Sequence, residues 1–292
     1  MKKLNLNQMK KSRDILMALK QYGVMSRKTL QKVVPEIKKE RNFRIYLKNL
    51  CQKQLIVKRL ENINGSVGVF YQLNQSEKFR EILAKYLGCD PNQLRQREYR
   101  YKELFHEQTA ILIAYYLNTN FPDAIVLREQ ELPQSAEAQK VIPYLELMDQ
   151  LKPDVLMLLS DITKTKIISI AFEFERSVKT KNRLLNKLKF YTTQTHIDGV
   201  VYIGSADRII NNLTEIYDSK ILEKAVRIKH YGKNFLLTTM WKTDVEKSFD
   251  LLKNRTESYY SLMSYVTQLQ LNSNRLRADK NFEMATTVCM DN

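Results

Sequence analysis

K-P-D-V-L-M-L-L at 152–159, I-I-S-I-A-F-E-F-E-R-S at 167–177 and K-L-K-F-Y at 187–191 are the three pieces of sequence on which the fold turns. The first two are apolar runs of strand length, separated by a short polar turn near Ser160 to Thr165. The third closes a lysine-rich segment from Val178 to Phe190 that reads as a helix. Asp154 stands just ahead of the first run, and Glu173 and Glu175 close the second. One residue separates the two glutamates, so strand alternation sends both carboxylates to the same side. Three hard oxygen donors that can meet at one sheet edge have the chemistry of a divalent-cation site.

Outward from this stretch, apolar spacing predicts a helix over Leu104 to Leu117, with Leu104, Ala110, Ile111, Ile113 and Ala114 packed inward. A short strand over Ala124 to Leu127 follows. Beyond the acidic strand come a strand over Gly199 to Ile203, a helix over Asp207 to Tyr217, and strands over Val226 to Lys229 and Phe235 to Thr238. The segment from Lys242 to Leu276 reads as mostly helical. Phe121-Pro122-Asp123 repeats the Pro-Asp pair, but Asp154 lies 19 residues before Glu173, which suits adjacent strands and a short turn better.

The first hundred residues read differently. Ile15, Leu16 and Leu19 give one apolar helical face, which Tyr22-Gly23-Val24 breaks. Ser26 is a candidate N-cap for a second helix with Leu30, Val33 and Val34 inside, ended by Pro35. A third helix spans about Glu40 to Gln54, buried through Phe43, Leu47, Leu50 and Cys51. Leu55 to Leu60 and Val67 to Leu73 then form a hairpin about Asn64-Gly65. Helix, helix, helix, hairpin resembles a winged helix-turn-helix. That resemblance implies a third helix in a major groove, with Arg41, Arg44 and Lys48 toward DNA, and Lys58 and Arg59 of the wing on phosphates.

Charge agrees with a polyanionic partner. Residues 1–100 hold 23 Lys and Arg against 8 Asp and Glu, while the other 192 residues hold 25 against 24. Nearly all of the net charge of +16 therefore sits at one end. No run of eighteen apolar residues is present, so no membrane insertion is expected. Cys51, Cys89 and Cys289 lack metal-ligand spacing, and a reduced, cytoplasmic protein is the simplest reading. His196 and His230 stand apart and give no zinc pattern.

The order of helix, three strands, helix and strand, with K-P-D before one strand and E-F-E-R-S on the next, is similar to the PD-(D/E)xK nuclease fold. A winged helix, a helix opening near His106, then P-D and E-F-E-R-S…K-L-K-F-Y, resembles the replication–relaxation family and the related plasmid-mobilisation relaxases. The resemblance covers about residues 10 to 240. It implies a winged-helix domain at 1–75, a helical linker at 76–102, an α/β nuclease-like mixed-sheet domain at 103–240 and a C-terminal helical extension at 241–292.

The implied activity is metal-dependent nicking of one DNA strand at a plasmid transfer origin during conjugative mobilisation. Asp154 and Glu173 take the places of the nuclease acids. The usual lysine two positions later is Glu175 here, so the lysine is expected from the following helix. Lys187 is the first choice and Lys181 the alternative, because sequence does not fix the helix rotation. Asp154, Glu173 and Glu175 are the expected ligands of Mg²⁺ or Mn²⁺, and with Lys187 they form the expected catalytic set. Tyr191 and His106 are supporting residues.

The implied partners are double-stranded plasmid-origin DNA, relaxosome or coupling proteins, and a second copy of the chain. The competing reading is a non-catalytic DNA-binding replication initiator, relaxosome accessory protein or transcriptional regulator. A restriction-type endonuclease, with double-strand cuts from paired sites, is a third.

Overall fold

The structure, a computed structural model, describes residues 6–63, 66–96, 101–142, 152–160, 164, 166–177, 179–193, 196–218, 234–239, 249, 252–253 and 259–271. It is a mixed α/β protein with two sheets. No helix among the described residues is long and apolar enough to cross a membrane. Contacts divide the chain into two units, Met1–Leu112 and Ile113–Asn292.

In the first unit, α1 (Leu6–Tyr22) stops at Gly23, whose φ of 82° is readily adopted only without a side chain. A two-residue strand, β1 (Met25–Ser26), leads into α2 (Arg27–Val33). Ser26 caps α2 as expected, its hydroxyl accepting the Thr29 N–H at 3.1 Å. Helix α3 (Glu40–Gln52) buries Phe43, Leu47 and Leu50, one face at helical spacing. Strands β2 (Ile56–Ile63) and β3 (Ser66–Leu73) pair antiparallel along their whole length. The expected Asn64-Gly65 turn lies outside the described residues. β1 adds to the other side of β3, so the sheet order is β1-β3-β2. Helix α4 (Glu77–Leu87) ends on Gly88, at φ 72°.

Helix α5 (Tyr101–Asn120) runs across the division between the units. Its first half completes the first unit. Leu104 is buried with Val24 and Phe70. The Gln108 carboxamide donates to the Val24 carbonyl at 2.9 Å and accepts the Ser26 N–H at 2.6 Å. The boundary therefore falls later than the expected opening of the second module at 103, because these side chains close the core of the first.

The second unit is built on a seven-stranded sheet, ordered β10-β9-β8-β7-β6-β5-β4. β4 (Ile125–Arg128), β5 (Val155–Ser160) and β6 (Ile167–Glu175) are antiparallel neighbours. A short helix, α6 (Ala136–Val141), lies between β4 and β5 in sequence. Helix α7 (Lys181–Thr193) then returns the chain to β7 (Gly199–Gly204), which pairs parallel to β6. Helix α8 (Asp207–Asp218) leads on toward β8 (Asn234–Thr239), parallel to β7. The expected strand over Val226 to Lys229 lies outside the described residues.

β5 and β6 are buried on both sides, which is why they read as apolar runs rather than alternating strands. One sheet face, with Leu156, Leu158, Ala171, Val200 and Tyr202, packs under Leu184, Leu188 and Tyr191 of α7 and Ile209 and Leu213 of α8. On the other face Phe172 meets Phe249 edge-on at 5.8 Å, and Phe249 meets Tyr116 of α5 at 4.8 Å.

The C-terminal extension is not the run of helix expected. β9 (Leu252–Lys253) and β10 (Tyr259–Tyr260) carry the sheet on from β8, and a helix, α9 (262–271), follows. Of the residues that suggested a helical face, Leu252 and Tyr260 lie in these short strands, while Leu262 and Tyr265 lie in α9.

Candidate functional site

Sheet register builds the site. Val155 lies opposite Phe172 in the antiparallel β5–β6 pair, so Asp154, one residue earlier, lies opposite Glu173. Directly opposed residues share a face. On the other side of β6, Glu173 is level with Tyr202 and Glu175 with Gly204 of β7. The acids therefore lie together at the ends of the parallel strands where their C-termini emerge, where α/β sheets place their ligand crevices.

Asp154 is held from two strands. Its Oδ2 accepts the Phe174 N–H at 2.6 Å, and its carbonyl accepts the Glu129 N–H at 3.0 Å. Glu173 is 0% exposed, Asp154 8% and Glu175 6%. Helix α7 supplies the partners. Lys187 Nζ donates to Glu173 Oε2, and the Tyr191 hydroxyl donates to Glu173 Oε1. Lys187 and Tyr191 are four residues apart and share one helical face, which delivers both to the same carboxylate. Lys179 stands 4.0 Å from Glu175.

Electrostatics follow from this packing. Burial pushes the Glu173 carboxyl up to about 8, and the Asp154 charge adds to it, against the pull of Lys187 and Tyr191. Burial also raises Glu175, opposed by Lys187, Lys179 and Arg183. Burial works to lower Lys187, but Glu173 and Asp154 outweigh it and hold its proton above the ordinary lysine value. An acid and its own ammonium partner are thus both shifted upward. The causes differ: burial disfavours the charged carboxylate of Glu173, while the carboxyls around Lys187 favour its charged ammonium. The hydroxyls of Tyr191 and Tyr202 are pushed well up by burial and then by Glu173.

Carboxylate oxygens are the donor type that a hard divalent cation takes. The arrangement is narrower than expected. Among the described residues no three His, Cys, Asp or Glu side chains are disposed to hold a metal ion. The three-acid ligand set does not assemble, because Glu173 is turned to α7 and Glu175 toward Lys179. Asp154 and Glu173 remain as an opposed pair. Mg²⁺ commonly takes only one or two carboxylates, completing its shell with water and phosphate oxygens, but both Glu173 oxygens here are engaged by Lys187 and Tyr191.

The remaining expected residues fall as follows. Lys181 opens α7, and its side chain lies outside the described part. His106 is half-buried on the first-unit portion of α5. Arg41, Arg44 and Lys48 are exposed on α3, away from its buried face. Arg44 donates to Glu40 through Nη2 at 2.6 Å and Nε at 3.2 Å, and Arg27 lies 3.4 Å from the same carboxylate. Arg59 is held by Glu61 at 2.8 Å and by Gln72 at 3.3 Å, while Lys58 is exposed. The sequence reading passed over Tyr202. The signal for Tyr202 was a lone tyrosine inside an otherwise apolar strand.

Comparison of the chain with protein-family models, curated proteins and solved structures finds no match.

Proposed function

We propose that this protein binds and processes DNA: a winged-helix unit followed by a PD-(D/E)xK-like unit that nicks one strand of a plasmid transfer origin during mobilisation. The observation that carries the reading is the meeting of Asp154, Glu173 and Lys187, from β5, β6 and α7, at one end of a mixed sheet. The strand order supports it: three antiparallel strands, a helical crossover, and a strand parallel to the last of them. In the first unit, three helices and a three-stranded sheet ending in a hairpin support the winged-helix reading, as does the concentration of basic residues.

Asp154 and Glu173 would hold Mg²⁺ or Mn²⁺. When bound, that ion would polarise the scissile phosphate and lower the pKa of an attacking water. Lys187 keeps its proton in this surrounding, so it acts as a positive charge and not as a base. Aimed at the transferring phosphoryl group, it would offset charge that builds in the transition state. Glu175 would orient the attacking water. Tyr191 has no part as a covalent nucleophile, because its hydroxyl is buried and its proton is held more firmly than in a free tyrosine.

One observation favours a second reading. Both oxygens of Glu173 are taken by Lys187 and Tyr191, an arrangement complete without metal or substrate. On that reading the sheet unit is an assembly scaffold for a replication initiator or regulator. The two separate in one experiment. Full-length protein is incubated with supercoiled transfer-origin plasmid and Mg²⁺ or Mn²⁺, and products are resolved as supercoiled, open-circle and linear DNA. The nicking reading expects open circles from the wild type, none from Glu173→Ala, and similar DNA affinity in both. Full-rate nicking by Glu173→Ala defeats the site assignment, and no nicking by the wild type supports the scaffold.

A further inference from the structure

The outward face of α3 is not uniformly basic. Phe43, Leu47 and Leu50 turn into the core. Ile45 is two residues on from Phe43, which at about 100° per residue carries it about 200° round the helix, nearly opposite the buried stripe. It is 47% exposed, a large apolar side chain at the crest of the helix. Arg41, Arg44 and Lys48 flank it on one side of the helix, all exposed. Arg44 and Arg27 are both tied to Glu40 at the first turn of α3, which places that pair of guanidinium groups to one side of the crest.

A branched hydrocarbon flanked by cations is poorly matched to water and well matched to one feature of a major groove. The thymine C5-methyl is the only apolar group that base edges present there, and apolar side chains read it by contact. The flanking arginines and lysine would meet phosphates and base acceptors, which fixes the register of the helix on the duplex. We infer that Ile45 is a specificity-determining residue that packs on a thymine methyl group when α3 enters the groove. This inference rests on the DNA-binding reading of the first unit, and adds to it which base is recognised and by what force.

The test removes the methyl group from the DNA. A duplex preferred by the full-length protein is selected from a randomised pool. Each thymine is then replaced singly by uracil, which pairs identically but lacks the methyl. The wild type is expected to lose roughly fourfold in affinity at one or two thymine positions, the worth of about one buried methyl group. Ile45→Ala is expected to bind the thymine and uracil duplexes alike, with unchanged dependence on salt. An exposed helical alanine leaves the fold intact, and thermal unfolding of the variant checks this. If the wild type is indifferent to uracil at every position, or if Ile45→Ala discriminates as before, the inference is overturned while duplex binding stands. If no duplex is enriched from the pool, no base is read and the inference is overturned; if the pool is also not retained at low salt, the DNA-binding reading falls with it.

Discussion

A carboxyl group sealed away from water between two strands and a helix makes Glu173 the residue whose proton matters most. Its folded pKa of about 8 lies above the ordinary 4.5, so between those values the folded chain binds a proton that the unfolded chain has released. Stability linked to this group is therefore fully present below 4.5 and is lost as pH rises through about 8. Thermal unfolding followed across that window is expected to show the midpoint falling with pH. Glu173→Gln, which cannot ionise, is expected to flatten the trend. A wild-type midpoint that stays level over the same range would show that Lys187 and Tyr191 hold the carboxylate ionised throughout. The types of residue at this site were legible in the sequence, since Asp154, Glu173 and Lys187 were all named from spacing and resemblance. Their pairing was not. Whether Glu173 faces a cation or a lysine depends on the rotation of α7 over the sheet, which local periodicity leaves free.

Among the elements, α2 shows how short a helix a cap can start. It has seven residues, and its one side-chain cap is the Ser26 hydroxyl on the Thr29 N–H. Ser26→Ala is expected to cost about 1 kcal/mol, measured by denaturant unfolding at unchanged m-value. Elements with strong local signals were readable: α1, α2 and α3 from apolar spacing and breaks, β5 and β6 from unbroken apolar runs. Elements that owe their state to tertiary pairing were not. β1 has two residues and exists because Met25 and Ser26 lie against Tyr71 and Phe70 of β3. β9 and β10 have two residues each, and no periodicity can be read from two. At this scale the proposed wing, the β2–β3 hairpin, can also be tested. Lys58 is exposed, and Lys58→Ala is expected to weaken DNA binding evenly across sequences.

Across the whole molecule the charge is divided unequally, with a net of +15 in residues 1–100 against +1 in the rest. Association with duplex DNA is therefore expected to fall steeply with salt, the logarithm of affinity dropping linearly against the logarithm of salt by about 0.9 per phosphate contact. A fluorescence-anisotropy titration series reads that slope, and a flat line would remove the electrostatic basis for DNA binding. The broad plan, basic helices and hairpin before an α/β sheet, was legible from this charge and from the order of elements. The place of division was not, because α5 is one continuous helix and only its contacts tell where one core ends. The main sheet finishes on very short strands, four residues of β4 at one rim and two of β10 at the other. Neither offers a neighbouring chain a long ladder of free amides and carbonyls to copy. That sheet is thereby a poor template for a second copy to extend by strand addition.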